Sequence, residues 1–170
     1  MENHDEPRAA ATFPFEKHRA AAVVTYFTPG LRFFHQGQRE GKRIRVPVHI
    51  RRGPAEARDQ AIADFYDRLI ATLKDDVFRD GTWQLLECRR AWNDNPTSDD
   101  FLAFAWTGAS GKTLVVVNYA AHQSQCYITL PWTGTVRLRD RLGAAEYERS
   151  GDVYLDLPAW GHHVFEVTQA

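Results

Sequence analysis

The character of this chain changes at Gly81, and that change limits the folds open to it. Before Gly81, helical patterns alternate with short apolar extended runs; after it come only short strands and turns. A period near 3.6 buries one stripe of a helix, and a period near 2 buries one face of a strand, so the two halves need different architectures. The expected division is residues 1–80 and residues 81–170.

The second half predicts eight strands, at 83–88, 101–106, 114–119, 125–130, 135–138, 146–149, 153–157 and 162–167. Turn residues separate them, as in Asn93-Asp94-Asn95-Pro96, Gly108-Ala109-Ser110-Gly111 and Ser150-Gly151-Asp152. Short strands at this spacing predict an antiparallel Greek-key β-sandwich. About 90 residues suffice for such a sandwich to fold alone.

In the first half, alanine density and apolar residues on most faces predict a buried helix over 16–27, stopped by Pro29-Gly30. A strand-like run follows at 31–35. Ile62, Phe65, Tyr66, Leu69, Ile70 and Leu73 then recur at spacings of three and four, which predicts a helix over 55–75 opened by Gly53-Pro54. If residues 1–5 end a strand, the order is βαβα, the pattern of parallel strands with covering helices. Two such units can neither close a sheet nor cover both its faces, so the half is expected to be the tail of a larger α/β body. Its unfinished edges should leave it poorly ordered, self-associating or leaning on the sandwich.

Composition excludes several functions. The formal net charge is -1, which points to neither a nucleic acid nor a membrane surface as partner. The densest basic run, Lys42 to Arg52, is interrupted by Ile44, Val46, Val48 and Ile50 and reads as a packed loop rather than an anion site. No apolar run approaches the roughly 20 residues that span a bilayer. The acidic, polar start, Met1-Glu2-Asn3-His4-Asp5-Glu6, is unlike a secretory signal, and a cytoplasmic location is expected. Seven scattered histidines show no metal-ligand spacing, so neither a metal nor a cofactor is expected. Cys88 and Cys126 fall in strand-like runs and read as buried free thiols of a reducing compartment, with a bridge between them left open.

The first eight residues carry the chemistry. Asn3-His4-Asp5 followed by Arg8 resembles the end of the seventh barrel strand in the α-amylase family of glycoside hydrolases. The order of later segments agrees: Thr28-Pro29-Gly30, Phe33-Phe34 and Gln36-Gly37-Gln38, then Phe65-Tyr66-Asp67-Arg68-Leu69-Ile70, then Phe101-Leu102-Ala103-Phe104 and Leu114-Val115-Val116-Val117-Asn118-Tyr119. The resemblance implies the last two β/α units of a (β/α)8 barrel followed by the family's C-terminal β-sandwich. It implies that Asp5 is the transition-state stabiliser, accepting two sugar hydroxyls. It gives His4, Asn3 and Arg8 roles in substrate binding, the ligand being an α-glucan or oligosaccharide. Where many family members carry Gly-Gln-Glu, this chain has Gly37-Gln38-Arg39-Glu40.

Retaining glycosidases need two carboxylates about 5 Å apart. In the family these come from strands four and five, which the resemblance places before this sequence starts. Neighbouring residues on a strand face opposite ways, so Glu6 should not join Asp5 on one sugar, and Glu2, Glu40 and Glu56 match no catalytic position. The chain alone is therefore expected to be inactive. The alternative is a non-catalytic carbohydrate-binding or structural β-sandwich module. Trp92, Trp106, Trp132 and Trp160 are its candidate sugar platforms, although plugging the core is the commoner use of such residues.

Overall fold

The computed structural model describes all 170 residues. In chain order the helices are α1 (Ala9–Thr12), α2 (Phe15–Phe27), α3 (Gln60–Leu73) and α4 (Val77–Asp80). The strands are β1 (Thr82–Leu86), β2 (Arg89–Arg90), β3 (Phe101–Gly108), β4 (Gly111–Asn118), β5 (Ser124–Thr129), β6 (Val136–Asp140), β7 (Glu146–Arg149), β8 (Asp152–Leu157) and β9 (His162–Gln169). A 3-10 turn, Pro96–Asp100, leads into β3.

All eight strands expected after Gly81 form, and all pair antiparallel in two sheets. The larger sheet has six strands in the order β1-β3-β4-β9-β6-β7; the smaller has three, β2-β5-β8. Alternate residues of the central strands divide between two cores. Ala103, Ala105, Leu114, Val116, Phe165 and Val167 face the smaller sheet. Phe104, Trp106, Val115, Val117 and Val164 face the other way, into a layer made by α2, α3 and α4. Burial on both faces explains why β3 and β4 read as continuous apolar runs rather than as alternation. The helical half thus leans on the sheet, one of the outcomes expected for it.

Helix α2 buries Ala20, Ala22, Val23, Tyr26 and Phe27 at the sheet. Its alanines let the backbone come close, and its last carbonyls are not left bare. Trp106 Nε1 donates to the Phe27 carbonyl at 2.8 Å, and Arg32 Nε to the Tyr26 carbonyl at 2.8 Å. Helix α3 starts later than expected. Pro54 lies outside it, and Asp59 caps it by accepting from the Ile62 N–H at 3.2 Å. The buried stripe is the expected one, with Ile62, Phe65, Tyr66 and Leu69 inward.

Two expected strands do not form. Residues 1–5 and 31–35 have no strand partner. A strand is defined by the ladder to its neighbour, and neither segment has one beside it. Phe34 instead stacks on Tyr26, with centroids 4.1 Å apart and planes 5° from parallel, while Leu31 is 97% exposed. The Lys42 to Arg52 run is also not packed: Ile44, Val46, Val48 and Ile50 are all exposed. No helix is long and apolar enough to cross a membrane.

Candidate functional site

The first nine residues are held by one buried ion pair. Glu2 and Arg8 are 4% and 5% exposed, and their side chains meet at 3.0 Å. Glu2 Oε2 also accepts the Ala9 N–H at 2.6 Å. The Arg8 guanidinium donates to the Gln36 carbonyl at 2.9 Å and the Lys42 carbonyl at 3.3 Å. One cation therefore clips the N-terminal segment to both ends of the turn that carries Gly37. Gly37 adopts φ +85°, and a Cβ there would lie 2.8 Å from the Arg8 guanidinium. Both the backbone angle and the close approach call for glycine.

The same turn sends Gln38 inward. Its amide donates to the Tyr26 hydroxyl at 2.5 Å and the Tyr66 hydroxyl at 2.8 Å, and its oxygen accepts the His35 N–H at 3.3 Å. His18 Nε2 meets the Tyr66 hydroxyl at 2.9 Å. Burial pushes His18 down to about 4, so the ring is neutral. Burial likewise pushes Tyr26 up to about 12 and Tyr66 upward, which keeps both phenols protonated as donors. The cluster ties α2, α3 and the Gly37 turn together.

Above this anchor, residues 3–6 make a tight turn. Asn3 Oδ1 accepts the N–H groups of Asp5 at 2.7 Å and Glu6 at 3.1 Å. The turn presents His4 and Asp5 side by side, with Nε2 and Oδ2 at 3.2 Å and side chains 60% and 74% exposed. At that exposure both groups are open to a ligand. The Arg45 guanidinium reaches the His4 carbonyl at 3.2 Å, so the basic loop borders the turn. Of the four expected site residues, the structure brings Asn3, His4 and Asp5 together on the surface and sends Arg8 inward, to Glu2.

Two other carboxylates in this half, Glu2 and Glu56, are committed elsewhere. Glu2 is buried against Arg8. Glu56 accepts the backbone N–H groups of Arg43 and Ile44, which hold its carboxyl below the usual range. No group of three or more His, Cys, Asp or Glu side chains is placed to hold a metal ion.

The aromatic candidates divide clearly. Trp106 and Trp132 are buried, and Trp132 Nε1 donates to the Thr107 hydroxyl at 3.0 Å. Trp160, at φ +58°, has Lys17 over its ring at 4.9 Å and Tyr119 edge-on at 5.2 Å. Trp92 is the one tryptophan that is mostly exposed, at 55%.

Sequence reasoning missed Glu2 as the partner of Arg8 and the His18–Tyr66–Gln38–Tyr26 chain. One signal was available: a lone histidine inside an alanine-rich apolar helix needs a buried partner.

No protein-family model matches the sequence, and no curated protein matches it either. Solved structures do. The chain is similar to a noncanonic maltogenic α-amylase from Thermotoga neapolitana, with TM-score 0.76 and 15% identity over 99% of this chain and 40% of that one. It is similar to the α-amylase from Geobacillus thermoleovorans complexed with acarbose, with TM-score 0.72 and 17% identity over 99% of this chain and 38% of that one. A trehalulose synthase from Pseudomonas mesoacidophila matches with TM-score 0.62 and 17% identity over 98% and 42%. The chain thus spans about 40% of the length of the α-amylase-type enzymes it matches, and its fold is similar to that of their C-terminal region.

Proposed function

We propose that this chain works as the C-terminal part of an α-amylase-type retaining glycoside hydrolase acting on α-glucosidic bonds. The likeness over 99% of this chain to about 40% of such enzymes carries the reading. In it, residues 1–80 are the end of the (β/α)8 catalytic barrel, and residues 81–170 are the C-terminal Greek-key β-sandwich. Residues 1–5 and 31–35 would then correspond to barrel strands seven and eight.

Asp5 is the transition-state stabiliser in this scheme. An ionised carboxylate accepts hydrogen bonds and donates none, so it can bind two sugar hydroxyls at once. Those bonds gain strength as the ring flattens and the anomeric carbon becomes positive, which lowers the barrier rather than merely holding substrate. His4, 3.2 Å from Asp5, is placed to donate to the same ring, and the Asn3 turn holds both at the surface. Arg8 serves the site as its anchor. The nucleophile and general acid would lie in the part of such enzymes that this chain does not span, so the chain alone would have no route to bond cleavage.

Two measurements test this. Purified chain incubated with maltoheptaose should show no hydrolysis, and turnover above a buffer control refutes the inactivity. Acarbose titrated at millimolar concentration should shift the amide resonances of residues 3–6, and D5N should lose the shift. An unchanged spectrum in the unsubstituted chain refutes the site. The alternative, a non-catalytic carbohydrate-binding module in the β half, is weakened by the burial of Trp106 and Trp132 and the covered ring of Trp160. A structural, barrel-shielding sandwich fits those residues better.

A further inference from the structure

The basic run from Lys42 to Arg52 folds into a two-limbed loop with uncommitted cations. Its base is closed by the Asp59 N–H, which donates to the Glu40 carbonyl at 2.9 Å. Glu56 then accepts the N–H groups of Arg43 and Ile44. Further out, Val46 lies against Gly53, where a Cβ would stand 3.1 Å from the valine methyl. The Ile50 N–H donates to the Pro47 carbonyl at 3.2 Å and turns the tip. The limb that carries Arg51 and Arg52 is thereby returned alongside the limb that carries Arg43 and Arg45. Residues 39–58 hold seven Lys and Arg against two Glu, a surplus of five in a chain whose net charge is -1. Two nearby acids are taken up by other cations: Asp67 by Arg39 and Arg58, and Asp59, at 3.8 Å, by Arg43. Arg45, Arg51 and Arg52 are exposed and have no carboxylate partner. A cluster of one sign raises the local concentration of an oppositely charged ligand.

The loop also borders the candidate sugar site. Arg45 Nε donates to the His4 carbonyl at 3.2 Å, so this guanidinium is bonded to the residue next to Asp5. Resting on the reading of His4 and Asp5 as the sugar site, we propose that the loop recognises a phosphate group on the glucosidic ligand, with Arg45, Arg51 and Arg52 as its anchors. Two opposite chemistries stand side by side here. The Asp5 carboxylate accepts hydroxyl protons and repels an anion; the guanidiniums donate N–H groups and attract one. A ligand with hydroxyls at one end and a phosphate at the other satisfies both, whereas a neutral glucan leaves the charge of the loop unused. Arginine suits the part, because its planar fork gives a phosphate two parallel charge-assisted hydrogen bonds. An anionic membrane is the rival occupant, since Val48 at the tip is 72% exposed. The bond from Arg45 to the His4-Asp5 turn favours the sugar phosphate.

The test titrates the purified full chain with glucose, inorganic phosphate, glucose 1-phosphate and glucose 6-phosphate and follows the amide resonances. One of the two sugar phosphates should bind at least roughly tenfold more tightly than glucose and than inorganic phosphate, shifting residues 3–6 and 43–52 together. Its affinity should fall as salt is raised from about 0.05 to about 0.5 M. The double variant R51Q/R52Q, changed at two exposed side chains, should melt at the temperature of the parent and lose the tenfold advantage. Equal affinity for glucose and both sugar phosphates overturns the inference; shifts of residues 3–6 by acarbose would then show that the sugar site itself survives. Shifts confined to 43–52 and alike for inorganic phosphate and the sugar phosphates also overturn it, because the anion then binds without the sugar. So does a double variant that keeps the advantage, and so does sedimentation with phosphatidylglycerol vesicles that the sugar phosphates fail to compete away.

Discussion

Around Asn118 the β region ties its loops with one neutral amide, whereas around Arg8 the helical region ties its loops with a buried charge. The fully buried Asn118 Nδ2 donates to the carbonyls of His122, Leu157 and Pro158 at 2.8, 3.1 and 2.9 Å, and its Oδ1 accepts the Ala120 N–H at 3.1 Å. Arg8 gathers two carbonyls and the Glu2 carboxylate. Both devices satisfy backbone groups that would otherwise be buried bare. They differ in what happens when a partner is lost. A stranded amide or carbonyl costs one desolvated dipole; a stranded carboxylate costs a desolvated ion. The Arg8 anchor should therefore be the more fragile of the two to single substitutions.

The largest effect expected is at the ion pair. Arg8→Met leaves Glu2 buried without its cation and should cost about 3–5 kcal/mol in denaturant unfolding, while Glu2→Gln combined with Arg8→Met should recover much of that loss. If the double variant is no better than the single, the charge is not what makes this anchor costly to break. Acid should act on the same region. His18 titrates at about 4 when folded and near 6.5 when unfolded, so the unfolded chain binds the extra proton. The contribution of neutral His18 is complete above about pH 6.5 and is lost as pH falls toward 4, on the order of 3 kcal/mol across that window. His18→Gln should lower the slope of the stability–pH curve there and leave the share of His162, which burial also pushes down to about 4; an unchanged slope would mean that His18 contributes nothing.

Asn118→Ala sharpens the contrast from the other side. Leaving three carbonyls and one N–H short of a partner should cost about 2–3 kcal/mol, with no dependence on pH between 5 and 8. A pH-dependent loss would contradict the neutral character assigned to this anchor. The smallest expected effect is Gly37→Ala, at about 1 kcal/mol for the left-handed backbone, with more if Arg8 cannot shift away from the new methyl. A stabilising result would show that the turn relaxes freely.

The β region was legible because each strand carries its own evidence. The runs from Phe101 and Leu114 are apolar, and Gly108 and Gly111 mark the hairpin between them. Strand β2 was not legible: two residues, Arg89 and Arg90, hold no period, and only Cys126 and Tyr127 across from them make a strand. In the helical region the α3 stripe was plain, but its start was misplaced, since Pro54 is a common helix opener and Asp59 caps instead. The runs at 1–5 and 31–35 show the limit most clearly. Their residues suit strands, yet pairing depends on neighbours that local pattern cannot supply. At the candidate site, Asn3-His4-Asp5 was recognisable as a string, whereas the partners of Arg8 were hidden. Glu2 is six residues away on a polar segment with nothing to mark it as buried, and the Gln36 and Lys42 carbonyls leave no trace in side-chain identity.

Strand β4 gives Leu114 and Val116 to one core and Val115 and Val117 to the other. The sheet is thus a party wall whose two tenants cannot move out separately. Stripping away the helices would wet one whole side of the central strands, and prising off the small sheet would wet the other. Calorimetry should therefore record a single melting peak for the chain, the helices and both sheets disappearing together.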